Sequence, residues 1–314
     1  NGVYGEWIGD SAEDKNIDLH PEVCVGRLAC RNSNEVNMMV RKIITYETQT
    51  YSSEWFKRFV VVAGDTYPPG QYPFDTSEYE GEENTKKAIK NMTQTGFEIN
   101  RMWVSTGNFT GPLSLIRTMN KGCGIMFFEG HASPMAWGTH PPEIEKNGTW
   151  IWGLKNQHIP LLMNGYKLPV VMAGACHNGM FDVTPMNLLK LLKGETLHPG
   201  DWALECWAWK LTSHPYGGSI ATIANTGLGY TKEDKQCRHG AGDYMDQQFF
   251  YEYGQNKTTI LGEIWANSIN RYIQKYPVDW SEPAGSDSAI DAKTVQEYTL
   301  LGDPSLQIGG YSEK

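Results

Sequence analysis

Two side chains stand where the sequence could do covalent chemistry. His131 follows the apolar run GIMFFEG (124–130), and Cys176 follows LPVVMAGA (168–175). A cysteine acts as a nucleophile through its thiolate, and it needs a base or a positive neighbour to reach that state. A histidine presented from a neighbouring strand end can take the proton and later return it to the leaving group. Small residues surround both: Gly130 and Ala132 about the histidine, Gly174 and Ala175 before the cysteine, Gly179 after it. They let backbone N–H groups approach a substrate carbonyl, as an oxyanion hole requires. Taken singly, such a cysteine reads as a small buried hydrophobe and such a histidine as a satisfied polar residue. At one sheet edge together they read as a dyad for acyl transfer.

The elements that must position them alternate. EVCVGRLAC (22–30) reads as a short buried strand, and Asn34 to Thr50 as a helix with Val36, Met39, Val40, Ile43 and Ile44 at helical spacing. FVVVAGD (59–65) reads as a strand, then a loop rich in Gly, Pro and Tyr (66–80), a helix from Glu82 to Thr93, a strand at 98–104 and a helix after Pro112. Beyond the GIMFFEG strand come a Trp- and Pro-containing loop (132–150), a helix from Leu154 to Met163, and strands at 168–176 and 217–227. Helices at 241–253 and 258–275 and a strand over Tyr298–Ile308 complete the series. Continuous apolar strands separated by helices predict a parallel α/β sheet, whose functional residues collect beyond the carboxyl ends of the strands.

Composition narrows the classes. The chain has 314 residues, a net charge of −9 and six cysteines. The acidic balance argues against nucleic acid as partner, because phosphate binding needs clustered positive charge. The 40% hydrophobic content, with 11 Trp and 16 Tyr, argues against disorder. No apolar run reaches the ~18–20 residues of a membrane span. Sequons at Asn91, Asn108, Asn147 and Asn256 point to a secreted or cell-surface protein, and the start at Asn1 to a processed piece of something longer. There is no Gly-x-Ser-x-Gly elbow, P-loop or His-Glu-x-x-His. Cys237 with His239, or Cys176 with His177, lacks the second pair that a zinc site needs.

An ordered series of segments resembles the gingipain family, cysteine peptidases of the caspase-like clan. VGRLA (25–29) with KIITYE (42–47), GEENT (81–85), FFEGHASPMAWGT (127–139), LPVVMAGACHNGMF (168–181), SIATIANTG (219–227) and LLGDPSLQIG (300–309) follow its order and spacing over nearly the whole chain. The resemblance implies a caspase-like three-layer α/β/α sandwich with a mostly parallel sheet. Residues 1–55 would be the C-terminal tail of a first α/β subdomain whose remainder is missing, and 56–314 the catalytic subdomain. A second chain or a pro-segment would supply the missing part.

The resemblance also implies an acyl-enzyme on Cys176 with His131 as base and acid. The oxyanion hole would use the backbone N–H groups of Cys176 and Ala132. Where the family usually has Gly, Ala132 keeps a usable donor only if its φ is negative. An orienting carboxylate falls on Asp65, with Glu80 second; on its residues alone, Asp65 also reads as closing its loop. The pocket for the residue before the cut bond (P1) maps to Glu129, Gly174, Asn84 and Tyr230. A carboxylate in an apolar strand end is costly to bury ionised without a partner, so Glu129 either pairs locally or awaits a cation, Arg or Lys, under an aromatic cover from Tyr230. The substrate is then a protein or peptide. No cofactor is expected for catalysis; structural calcium fits the acidic surplus without a ligand set being identified. Two other readings stand beside this one: a sortase-like transpeptidase with the same acyl-enzyme, and a catalytically silent adhesion or glycan-binding module built on the Trp and Tyr surface. If Cys176 is a free nucleophile, an odd five cysteines remain, so at least one more is free or bonded outside the chain.

Overall fold

The structure is a computed structural model that describes residues 6–8, 11–14, 17–67, 79–141, 149–197, 199–231 and 240–312. A short hairpin of β1 (Trp7–Ile8) and β2 (Ser11–Ala12) precedes helix α1 (Ser33–Gln49). Asn32 caps α1 by accepting from the backbone N–H groups of Asn34 and Glu35. Then follow β3 (Arg58–Ala63), α2 (Glu80–Asn91), β4 (Glu98–Trp103), α3 (Pro112–Asn120) and β5 (Ile125–Glu129). A small antiparallel sheet comes next: β6 (His131–Ser133), β7 (Ala136–Thr139) and β8 (Ile151–Lys155). The chain continues through β9 (Val170–Gly174), α4 (Trp207–Ser213), β10 (Ala221–Asn225), α5 (Ala241–Gly254), α6 (Leu261–Lys275), α7 (Asp287–Glu297) and β11 (Tyr298–Leu301).

The main sheet runs in the order β11-β10-β9-β5-β3-β4, all parallel except β11. Alternate residues of its strands face opposite cores. Phe59, Val61, Phe127, Met172 and Ile223 pack against α1, α2, α5, α6 and α7, whereas Val60, Val62, Phe128, Val171 and Ala224 pack against α3 and α4. Both faces are covered, which explains why these strands read as unbroken apolar runs. The result is the caspase-like three-layer α/β/α sandwich with a mostly parallel sheet.

Several local expectations fail for identifiable reasons. Segment 22–30 is not a buried strand: Val23 and Val25 are exposed, and Arg27 alone bridges to Leu301 at the sheet edge. In α1, Met39 and Ile43 are buried, but Val36, Val40 and Ile44 lie on the exposed face. The helix expected over 154–163 is instead the end of β8 and a short 3-10 turn, Ile159–Leu161, because Ile151 to Lys155 pair with β7 rather than coil. Helices α4 and α7 were not anticipated; α4 is short, and α7 carries little amphipathic signal. Ile43 and Tyr46 of α1 share the core of Phe59 and Val61, so residues either side of position 55 pack into one body. Most of loop 66–80, Asn147, Cys237 and His239 lie outside the described residues. No helix among the described residues is long and apolar enough to cross a membrane.

Candidate active site

β5 and β9 are parallel neighbours with Glu129 opposite Gly174. His131 and Cys176 each lie two residues past that paired position, which sets both at the carboxyl edge of the sheet. They line one cavity of about 130 Å³ with Glu129, Gly174, Asn84 and Tyr230. Directly after the nucleophile, His177 takes φ 55°, a left-handed conformation that a non-glycine residue adopts only when its surroundings enforce it. The enforcing contacts are backbone bonds from His177 N to Gly227 O at 2.7 Å and from Gly179 N to Asn225 O at 2.7 Å. Asn225 Nδ2 also donates to Ala175 O at 2.9 Å, tying the nucleophile turn to β10. The Cys176 sulfur accepts from Gly229 N at 3.3 Å. Ala132 is not among the non-glycine residues with positive φ, so the donor that a glycine would offer is kept.

His131 sits in an aromatic surround: Tyr67, His140 and Trp150 place their ring centres 6.1, 5.5 and 5.3 Å from it. Its Nε2 lies 2.7 Å from the carbonyl oxygen of Thr66. That oxygen can hold the ring only by accepting a proton, which fixes the tautomer and leaves Nδ1 as the basic nitrogen. The carboxyl group of Asp65 is set against Glu80 rather than against His131, while the Asp65 backbone pairs with His140. Burial lowers the imidazole's affinity for a proton, and His140 adds to this. Burial raises the Cys176 thiol, partly offset by the Gly229 N–H. Both shifts favour the uncharged forms of the two groups, thiol and imidazole.

The floor of the cavity is acidic. Glu129 is 6% exposed, and its Oε2 accepts from Asn84 Nδ2 at 2.8 Å. Asn84 is held in turn by Gln247 Nε2, which donates to its Oδ1 at 2.9 Å. From α5 come two carboxylates that the sequence reading missed, Asp243 and Asp246, both lining the cavity. Asp246 is 1% exposed; its Oδ1 accepts from Tyr298 Oη at 2.6 Å, and its Oδ2 has no hydrogen-bond partner among the described residues. A Cβ on Gly174 would lie 2.1 Å from that Oδ2 and 2.8 Å from Glu129 Oε2. Glycine at 174 thus makes the room in which two carboxylates converge. Burial holds both Glu129 and Asp246 well above the ordinary carboxylate range, and Asp243 pushes each further. Such a floor stays protonated when empty and ionises when a cation enters. The i, i+3 spacing of Asp243 and Asp246 in GDYMDQQFF was the available signal, since it sets two acids on one face of a helix. Thr66 acts through its backbone and left none.

Cys24, Cys30, Cys123, Cys176 and Cys206 are free thiols, Cys24 exposed and Cys123 and Cys206 buried. Among the described residues no group of three or more His, Cys, Asp or Glu side chains is placed to hold a metal ion.

Comparison with known proteins agrees with this geometry. The family model of Peptidase family C25 matches residues 3–309. Gingipain R2 of Porphyromonas gingivalis is 22% identical over 312 residues, covering 98% of this chain and 34% of that protein. Gingipain R1 of the same organism is also 22% identical, over 25% of its length. The chain thus spans about a third or less of these relatives. The crystal structure of the Arg-specific cysteine proteinase gingipain R superposes with a TM-score of 0.64 at 20% identity, over 93% of this chain and 57% of that one. A complex of RgpB pro- and mature domains superposes with a TM-score of 0.63 at 20% identity, over 94% of this chain and 58% of that one.

Proposed function

Because the chain belongs to peptidase family C25, a family of cysteine peptidases, we propose that it carries the catalytic centre of a secreted or cell-surface endopeptidase that cuts after Arg or Lys. The observation that carries this reading is the convergence of Cys176 and His131 on one cavity whose floor is Glu129, Asp243 and Asp246. In the first half-reaction the Cys176 sulfur attacks the P1 carbonyl carbon as His131 takes the thiol proton. The backbone N–H groups of Cys176 and Ala132 receive the developing oxyanion. The C–N bond breaks, and His131 protonates the departing amine. Water then attacks the thioester, giving its proton to His131; the thiolate leaves and recovers that proton, and the product carries the new carboxyl group.

A basic P1 side chain answers the floor chemistry. A guanidinium offers several donors in a fixed plane, which suits carboxylates that approach from β5 and from α5. Tyr230, half-buried at the rim, covers the pocket as an aromatic lid. Asp65 acts on His131 through the backbone, by holding the segment whose Thr66 carbonyl meets the ring. Secretion draws support from exposed sequons at Asn108 and Asn256; Asn91 is half-buried and the less accessible glycan site. The exposed row Val36, Val40 and Ile44 supports residues 1–55 as the tail of a first α/β subdomain, whose remainder would cover that row. Hydrolysis of peptides differing only at P1 tests the reading. Cleavage after Arg or Lys, lost in Cys176→Ala with an unchanged melting temperature, is expected. Equal cleavage after Asp, Asn or Ala would refute the basic pocket. Added amine distinguishes transfer to an acceptor from hydrolysis by product mass.

A further inference from the structure

The three-stranded sheet that carries the catalytic histidine also carries two partly exposed tryptophans with no place in the chemistry above. His131 pairs with Gly138, and Gly138 pairs with Trp152. Cross-strand partners project to the same face, so His131 and Trp152 stand in one row with a residue lacking a side chain between them. A Cβ on Gly138 would meet Trp152 at 3.1 Å and Trp150 at 3.5 Å, so the glycine leaves the space that both indoles occupy. Trp150 stacks on Trp152 with ring centres 5.1 Å apart and meets the edge of His131 at 5.3 Å. The Lys155 ammonium lies 4.3 Å from the Trp152 ring centre, and His140 lies 3.9 Å from Trp150. With these contacts the indoles are fixed before any substrate arrives. They nevertheless remain 37% and 38% exposed.

Neither indole lines the cavity that holds Cys176 and the acidic floor, although Trp150 touches the histidine that does. The pair therefore lies beyond His131 as seen from the P1 pocket. His131 must protonate the departing nitrogen, so the leaving half of a substrate passes on its side. We propose that Trp150 and Trp152 form the subsite for the first side chain after the cut bond (P1′), and that this side chain is aromatic. The exposed indole surface can receive an aromatic ring in an offset-stacked or edge-to-face arrangement, the two geometries that the ring quadrupole favours. Because the stack is already rigid, little side-chain freedom is lost on binding.

This inference rests on the peptidase reading, and its test separates the two. Internally quenched peptides with P1 Arg and either Phe or Gly at P1′ are compared with an Arg methyl ester, which has no P1′ side chain. The intact chain should prefer Phe by about tenfold in kcat/KM. That ratio should fall to within about twofold in Trp152→Ala and be largely kept in Trp152→Phe. A ratio on one preparation does not depend on its folded fraction, so partial misfolding cannot mimic the effect. Ester and peptides cleaved without a P1′ preference, or a preference that survives Trp152→Ala, would overturn the subsite while leaving the peptidase reading intact. No turnover of ester or peptides would overturn both.

Discussion

At the residue scale, burial decides the protonation of every group in the centre, and each shift has a consequence. Glu129 and Asp246 sit above the ordinary carboxylate range because they are buried beside Asp243. A guanidinium favours their ionised forms, so its binding releases protons and strengthens as pH rises toward those raised values. KM for a P1 Arg peptide should therefore fall as pH rises above the ordinary carboxylate range, about 4, measured by initial rates; a flat KM would show that these carboxylates do not meet the substrate. Glu129→Gln should cost roughly 10–100-fold in kcat/KM for P1 Arg, about 1.4–2.7 kcal/mol, because it removes one charge-assisted partner. An unchanged value would remove Glu129 from recognition. The residues legible in the sequence here were those at strand ends, Cys176, His131, Glu129 and Gly174. The α5 carboxylates were hidden because a helix brings them in from 67 or more positions away, and their i, i+3 spacing does not say which site they reach.

At the element scale, the turn of Asp65 and Thr66 just after β3 is what aims the histidine. Asp65 is fully buried against Glu80, and burial with that neighbour lifts its carboxyl to about 8. Its folded value lies above the unfolded one, near 4. Below about pH 4 both states hold the proton; between there and 8 only the folded state does, so this group's contribution to stability falls as pH rises through that window. Asp65→Asn removes the dependence. The variant should gain a few degrees in melting temperature on the parent between about pH 5 and 8. It should lose less than about tenfold in kcat, because the Thr66 carbonyl, not the Asp65 side chain, contacts His131. A loss near 10⁴-fold would return the orienting role to the carboxylate itself. Gly174→Ala puts a methyl where Asp246 Oδ2 stands, 2.1 Å away. It should destabilise by about 1–3 kcal/mol and weaken P1 Arg cleavage more than ester turnover by a small P1 group. Strands β3, β5, β9 and β10 were readable because burial on both faces makes them continuous apolar runs. The region 131–155 was misread because its strands are short and Trp-rich, and their pairing with each other, not their periodicity, makes them strands.

At the scale of the whole molecule, one sheet separates two cores, and α1 is anchored to the far side of the fold by a single cation. Lys42 Nζ donates to the carbonyl oxygens of Thr212, His214, Gly217 and Ser219, at 2.6 to 3.1 Å. Lys42→Met would leave those carbonyls without their donor and should cost about 3 kcal/mol, a fall of roughly 5–10 °C in melting temperature. A shift under about 2 °C would mean that water replaces the ammonium. The α/β class and the resemblance to gingipains were open to sequence reading because strand–helix alternation and ordered motifs extend over nearly the whole chain. The Lys42 cage was not, because its acceptors are backbone atoms that any residue carries.

The central claim is that Cys176 is a nucleophile activated by His131 and addressed by a basic side chain. Exposed Cys24 would react with a simple alkylating agent, so the decisive measurement is peptide mapping by mass spectrometry after treatment with an Arg acyloxymethyl ketone. The account predicts one adduct, on Cys176, that is absent in His131→Ala and with an Asp ketone. An adduct on another cysteine, or labelling of Cys176 that persists without His131, would contradict it.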